Sequence, residues 1–94
     1  TARHIASQLL RSSSSVAANY RAACRSRSRK EFTAKVGVVL EEADETLFWL
    51  EFSRDLDLLP PEKGANVLSE ADQLVAIFAA TRSTLLKRLR NKPT

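Results

Sequence analysis

Apolar residues recur at steps of three and four along three segments of the chain, a spacing typical of amphipathic helices. The segments span residues 2–26, residues 28–58, and residues from between 61 and 69 to about 90. No segment alternates as a half-buried strand does. The expected core stripes are Ile5, Leu9, Ser12, Val16, Asn19 and Ala23 in the first helix, Phe32, Val36, Val39, Ala43, Thr46 and Leu50 in the second, and Ala71, Leu74, Phe78, Thr81 and Leu85 in the third.

Two links separate the three helices. Ser28 followed by Glu31 matches the capping-box pattern that begins a helix. Pro60 ends the second helix, because a residue that precedes a proline avoids the α region. Gly37 lies inside the second helix, where close packing of a neighbour is one reason for a glycine. Short links place long helices antiparallel, so the sequence predicts an all-α, antiparallel up-down helical bundle forming a single domain, residues 1–94.

The second helix carries a further apolar stripe on the side away from its core stripe. Val38, Trp49, Phe52 and Leu56 fall together there at 100° per residue. Exposed Trp and Phe are enriched in protein interfaces. The stripe therefore predicts either a subunit interface or a surface covered by another helix.

One polar residue falls within the first helix's core stripe. A buried Asn needs hydrogen-bond partners and can determine the register of packed helices. We expect Asn19 to be a structural polar core residue, with Glu42 or Thr46 as its partner.

Charge is distributed unevenly along the 94 residues, which hold 15 Lys and Arg and 11 Asp and Glu for a net charge of +4. Residues 1–35 carry eight basic side chains and one acid, residues 36–70 carry nine acids and two basic side chains, and residues 71–94 carry five basic side chains and one acid. Such blocks suit either a polyanion on a basic surface or pairing of opposite charges between subunits.

The antiparallel order should bring two basic clusters to the same end of the bundle. Arginine suits phosphate contacts, and no aromatic residues are interleaved there for base stacking. We expect backbone contacts to RNA or DNA with weak sequence specificity. The residues of this basic corner are Arg21, Arg25, Arg27, Arg29, Lys30, Lys87, Arg88 and Arg90, joined by Lys92.

No motif of enzyme chemistry is present. His4 and Cys24 are the only residues of their kinds, so the chain has neither an internal disulfide nor a usual zinc cluster. The acidic run at residues 41–45 is spread around a helix and is expected to be a solvated or salt-bridged surface. We therefore expect no catalytic residue, no metal, no cofactor and no small-molecule substrate. No apolar run approaches the roughly 20 residues that a membrane span needs, so no membrane partner is expected.

Three sequence blocks, in order and at the right spacing, resemble the four-helix-bundle proteins of the 23S rRNA-intervening-sequence (ribosomal-protein-like) family. They lie at residues 8–21, at residues 27–32 with Lys35 following, and at residues 42–50, and the resemblance covers residues 2–84. It implies a bacterial, cytoplasmic protein of uncharacterised function that assembles as a homopentamer. A related branch of the family, the accessory proteins of diversity-generating retroelements, binds nucleic acid.

The resemblance also implies a helix before Gln8, where the chain has only seven residues. We therefore expect a four-helix bundle that lacks its first helix here, in a chain that begins inside a longer natural one or has been trimmed. The expected function is that of a non-enzymatic, oligomeric bundle that binds RNA or DNA through its basic corner. The alternative is a structural self-assembly module with charge-complementary subunits and no nucleic-acid role.

Overall fold

The computed structural model describes residues 1–91, which form three helices and no strand. They are α1 (Ala2–Cys24), α2 (Arg29–Asp55) and α3 (Pro61–Arg90). The all-helical prediction is confirmed, and Lys92 lies outside the described residues. None of the three helices is long and apolar enough to cross a membrane.

The helix ends follow from local capping. Ser28 Oγ accepts a hydrogen bond from the Glu31 backbone N–H at 3.0 Å, which confirms the predicted start of α2. The end of α2 near residue 58 was wrong, because Asp57 adopts a left-handed φ of 57°. Its N–H donates to the Arg54 carbonyl, and the Leu58 N–H donates to the Ser53 carbonyl, each at 2.9 Å, which is a Schellman motif. α3 starts at Pro61, and α1 ends at Cys24 rather than Ser26.

Helix α2 is the centre of the bundle and packs antiparallel against both neighbours. Ala23 at the end of α1 and Leu85 near the end of α3 both pack with Val36 near the start of α2. His4, near the start of α1, contacts Trp49 near the end of α2. Helices α1 and α3 have no Cα atoms within 8 Å of each other in the described residues. The three helices therefore enclose one seam on each side of α2 and leave an open side between α1 and α3.

The core follows the predicted stripe of α2 closely and that of α3 only partly. Val36, Val39, Ala43 and Leu50 are buried as predicted. Leu74 was predicted to lie in the core, but 47% of it is exposed. The contact seam of α3 is rotated away from Leu74, because α3 packs against α2 alone.

Candidate nucleic-acid interface

The predicted basic corner is built from three helix ends. Arg21 lies in the last turn of α1, Arg29 begins α2, and Arg88 lies in the last turn of α3. The core cluster of Ala23 and Leu85 holds these ends together, because each lies within three residues of a basic side chain. The eight described residues of the corner are all exposed, namely Arg21, Arg25, Arg27, Arg29, Lys30, Lys87, Arg88 and Arg90.

The positive charge of this corner is not neutralised within the chain. Its single acid, Glu31, pairs with Lys35 at 3.0 Å. The hydrogen bond from Lys35, followed by one from the Arg27 backbone, lowers the pKa of Glu31, so this carboxylate stays ionised and occupied. The ion pairs among residues 1–91 involve other cations, at positions 11, 35 and 54. The eight corner cations are thus free to bind an external anion.

The end of α2 far from the basic corner displays an aromatic cluster, which we define as Phe48, Trp49 and Phe52. The ring centroids lie 5.0 Å apart for Phe48–Trp49, 5.9 Å for Trp49–Phe52 and 6.0 Å for Phe48–Phe52. Phe48 is 53% exposed and Phe52 39% exposed. Sequence reasoning missed Phe48, although its helical angle is close to that of Phe52.

The other predicted members of that stripe are dispersed. Leu56 is exposed just beyond the C-terminus of α2, one turn past Phe52. Val38 is exposed too, but it precedes Trp49 by 11 residues, or about 16 Å along the axis. The structure therefore places Trp49, Phe52 and Leu56 together and leaves Val38 closer to the basic corner.

Asn19 lacks the cross-helix partner that we expected. It is half-buried, and its Nδ2 donates to the Ser15 carbonyl at 2.8 Å and to Ser15 Oγ at 3.0 Å, both on its own helix. The buried polar contact between α1 and α2 is instead Ser12 with Thr46, whose hydroxyl oxygens lie 2.9 Å apart. Both residues were in the predicted core stripes, so their polarity was the available signal.

The acidic run is salt-bridged, in keeping with the expectation. Arg11 on α1 pairs with Glu42 at 3.3 Å and with Glu45. The hydrogen bond from Arg11 lowers the pKa of Glu45, and the same bond raises the pKa of Arg11. No group of three His, Cys, Asp or Glu side chains in residues 1–91 has a geometry suited to a metal ion.

An apolar groove of about 180 Å³ runs along the open side of the bundle. Its floor is α2, and α1 and α3 are its walls. The lining residues are Ser13, Val16, Ala43, Thr46, Ala71 and Leu74.

The fold and site define a small antiparallel helical protein with one strongly basic end. The family model of the 23S rRNA-intervening sequence proteins matches residues 1–80, so the chain belongs to this family. It is also similar to the crystal structure of a protein with unknown function from the S23 ribosomal protein family of Bacteroides thetaiotaomicron. The two are 28% identical with a TM-score of 0.77, and the match covers 83% of this chain and 72% of that one. No curated protein matches the chain.

Proposed function

We propose that this protein is a non-enzymatic, oligomeric helical bundle that binds RNA or DNA through its basic corner. The observation that carries the proposal is the set of eight exposed, unpaired cations that three helix ends bring to one end of the bundle. Such a surface attracts a phosphate backbone and releases its condensed counterions.

Two of these cations oppose the stability of their own helix. Arg29 and Lys30 lie in the first turn of α2, where the helix dipole favours acidic side chains. Cations in that position add to the positive potential of the helix N-terminus. An anion bound at the corner would benefit from both contributions, which supports a polyanion as the partner.

The expected contacts are to the backbone rather than to the bases. Tyr20, an aromatic residue one residue before Arg21, packs edge-on against Phe78 with centroids 5.9 Å apart. Phe32 is packed against the core cluster. Neither ring lies free among the cations as a stacking platform, so binding should depend weakly on sequence.

A salt titration of RNA binding tests the proposal. Neutralising two corner cations in the double variant Arg29→Gln, Lys30→Gln should reduce the slope of log K against log salt by about 0.7 per lost single-strand phosphate contact. The matched control is Arg3→Gln, Lys63→Gln, which removes the same charge elsewhere and should leave the slope nearly unchanged. Absence of binding at low salt, or equal effects of both double variants, would contradict the proposal.

The aromatic cluster supports oligomerisation, and we propose that it forms part of a subunit interface in a homopentamer. Trp49→Glu should convert an assembly near 52 kDa, five times the 10.5 kDa chain, into smaller species. Val67→Glu, at an exposed apolar position on α3, is the control. An unchanged mass of the Trp49 variant in light scattering would count against this interface.

The alternative is a self-assembly module without a nucleic-acid role, in which the acidic run of one subunit faces the basic corner of the next. The exposed aromatic cluster beside the acidic run favours this reading over a simple monomer. Charge pairing between subunits predicts that the assembly dissociates as salt is raised. An assembly that is stable in salt and binds RNA only at low salt would instead support the polyanion proposal.

We further propose that a fourth helix covers the apolar groove, which would complete a four-helix bundle. The open side between α1 and α3 and the exposure of Leu74 support this. The 94-residue chain should then bind a hydrophobic dye, and Val16→Lys or Leu74→Lys should abolish the dye fluorescence. Dye binding that neither variant reduces would place the open apolar surface elsewhere.

A further inference from the structure

One position on the contact seam of α3 departs from the pattern of its neighbours. The seam residues recur at alternating steps of four and three, and every one except Arg82 is buried or half-buried. Arg82 is exposed although it occupies a position where the repeat calls for an apolar side chain. The seam consists of Gly64, Leu68, Ala71, Val75, Phe78, Arg82, Leu85 and Leu89.

Gly37 of α2 makes room for this side chain. A Cβ at Gly37 would lie 3.2 Å from Arg82 Nε and 3.8 Å from its Cδ. The Arg82 side chain therefore crosses the α2 backbone at the point where α2 has no side chain. Glycine in a helix interior lowers stability by about 1 kcal/mol relative to alanine, so the chain sacrifices helix stability where this arginine passes.

The guanidinium has no partner within the described part of the chain. Arg82 forms no ion pair and no side-chain hydrogen bond among residues 1–91. Two departures from what the fold favours, a helical glycine and a cation on the seam, thus coincide at one contact. Such coincidences are expected at functional sites, and a planar guanidinium held against a backbone is suited to binding an oxyanion.

We propose that Arg82, laid across Gly37, is a phosphate-binding residue for a nucleic-acid strand. This inference rests on the proposed function and extends the basic corner along the outer face of α2. Lys30 and Gly37 lie on the same face of α2, seven residues or about 10 Å apart. That distance equals about three nucleotide steps of roughly 3.4 Å each.

Acidic residues define where this phosphate track ends. Glu41 lies one turn beyond Gly37 on nearly the same face of α2, and Asp44 follows it; both are exposed. Their carboxylates would repel a phosphate backbone. The strand is therefore expected to enter at the corner and leave the protein surface after Arg82.

The test compares Arg82→Gln, Arg82→Met and Gly37→Ala with Arg54→Gln, which removes a charge that pairs with Asp55 near the far end of α2. Binding of labelled single-stranded RNA of about 20 nucleotides is measured between roughly 50 and 300 mM salt. Both Arg82 variants should lower the salt slope by about 0.7 and weaken binding about fivefold at 0.1 M salt. The same strand as DNA should show the same loss, because the contact is to phosphate.

Gly37→Ala provides the sharper signature, because its two effects have opposite signs. The protein should melt at a higher temperature, since alanine favours the helix, yet bind RNA more weakly, since its Cβ displaces the guanidinium. Arg82→Met retains an apolar stem on the seam and keeps the test valid if Arg82→Gln does not fold.

Three outcomes would overturn the inference. If the Arg82 variants behave like Arg54→Gln while Lys30→Gln lowers the slope, Arg82 binds no phosphate but the proposed function stands. If the wild-type protein binds no RNA, the proposed function fails and this inference with it. If Arg82→Gln reduces the assembly mass in light scattering, Arg82 pairs with an acid of a second copy instead.

Discussion

The hydroxyl contact between α1 and α2 is a sensitive point of the fold. Ser12 is fully buried, and Thr46 divides its hydroxyl proton between Ser12 Oγ at 2.9 Å and the Glu42 carbonyl at 2.8 Å. In Ser12→Ala, Thr46 keeps the carbonyl, so no polar group is left unpaired. The loss is then one net hydrogen bond, worth about 1 kcal/mol. Alanine returns about 0.5 kcal/mol of helix propensity, and the net destabilisation should be about 0.5 kcal/mol.

Ser14→Ala is the matched control in the same serine run. Ser14 is exposed, and its Oγ donates to the carbonyl of Leu10 at 2.6 Å within its own helix. This variant should gain about 0.5 kcal/mol from helix propensity alone. The two alanine variants should therefore differ by about 1 kcal/mol, which corresponds to about 4–8 °C in Tm for a domain of this size.

Circular dichroism during urea and thermal unfolding, at one fixed protein concentration, measures this difference. The double variant Ser12→Ala, Thr46→Val isolates the coupling between the two side chains. Equal shifts for Ser12→Ala and Ser14→Ala, together with a coupling near zero, would refute the reasoning. Ser12→Leu should destabilise by a further amount, about 1–3 kcal/mol in all, because the packed seam has no space for a larger side chain.

Three further predictions concern helix ends and pH. Ser28→Ala should lower the free energy of unfolding by about 1 kcal/mol through loss of the α2 cap, measured in urea. Asp57→Gly should raise it by about 0.5–1 kcal/mol, because glycine adopts the left-handed φ of 57° without strain, whereas Asp57→Ala should not. The lowered pKa of Glu45 contributes stability that is present above its ordinary value of 4.5 and is lost as pH falls through the lowered folded value. Arg11→Gln should therefore weaken the acid dependence of unfolding, and an unchanged profile would exclude this pair.

Helix existence and most boundaries could be predicted because they depend on local signals. The start of α2 is a case in point, since Ser28 and Glu31 lie three residues apart and cap the same turn. The end of α2 could not be predicted as well, because a Schellman motif usually contains glycine and here contains Asp57. The partner of Asn19 was wrong for a different reason. Its amide reaches Ser15 on its own helix, and periodicity does not show which of several polar groups a side chain will choose.

The sequence by itself determined three amphipathic helices, their order, and the separation of basic ends from an acidic middle. These properties are carried by residues within one turn of each other. The tertiary structure decided which residues from different helices meet, such as Ser12 with Thr46 and Gly37 with Arg82. The physical reason is that helix rotation and axial register depend on packing between segments about 30 or more residues apart. A rotation of one residue, about 100°, would have pointed Arg82 away from Gly37.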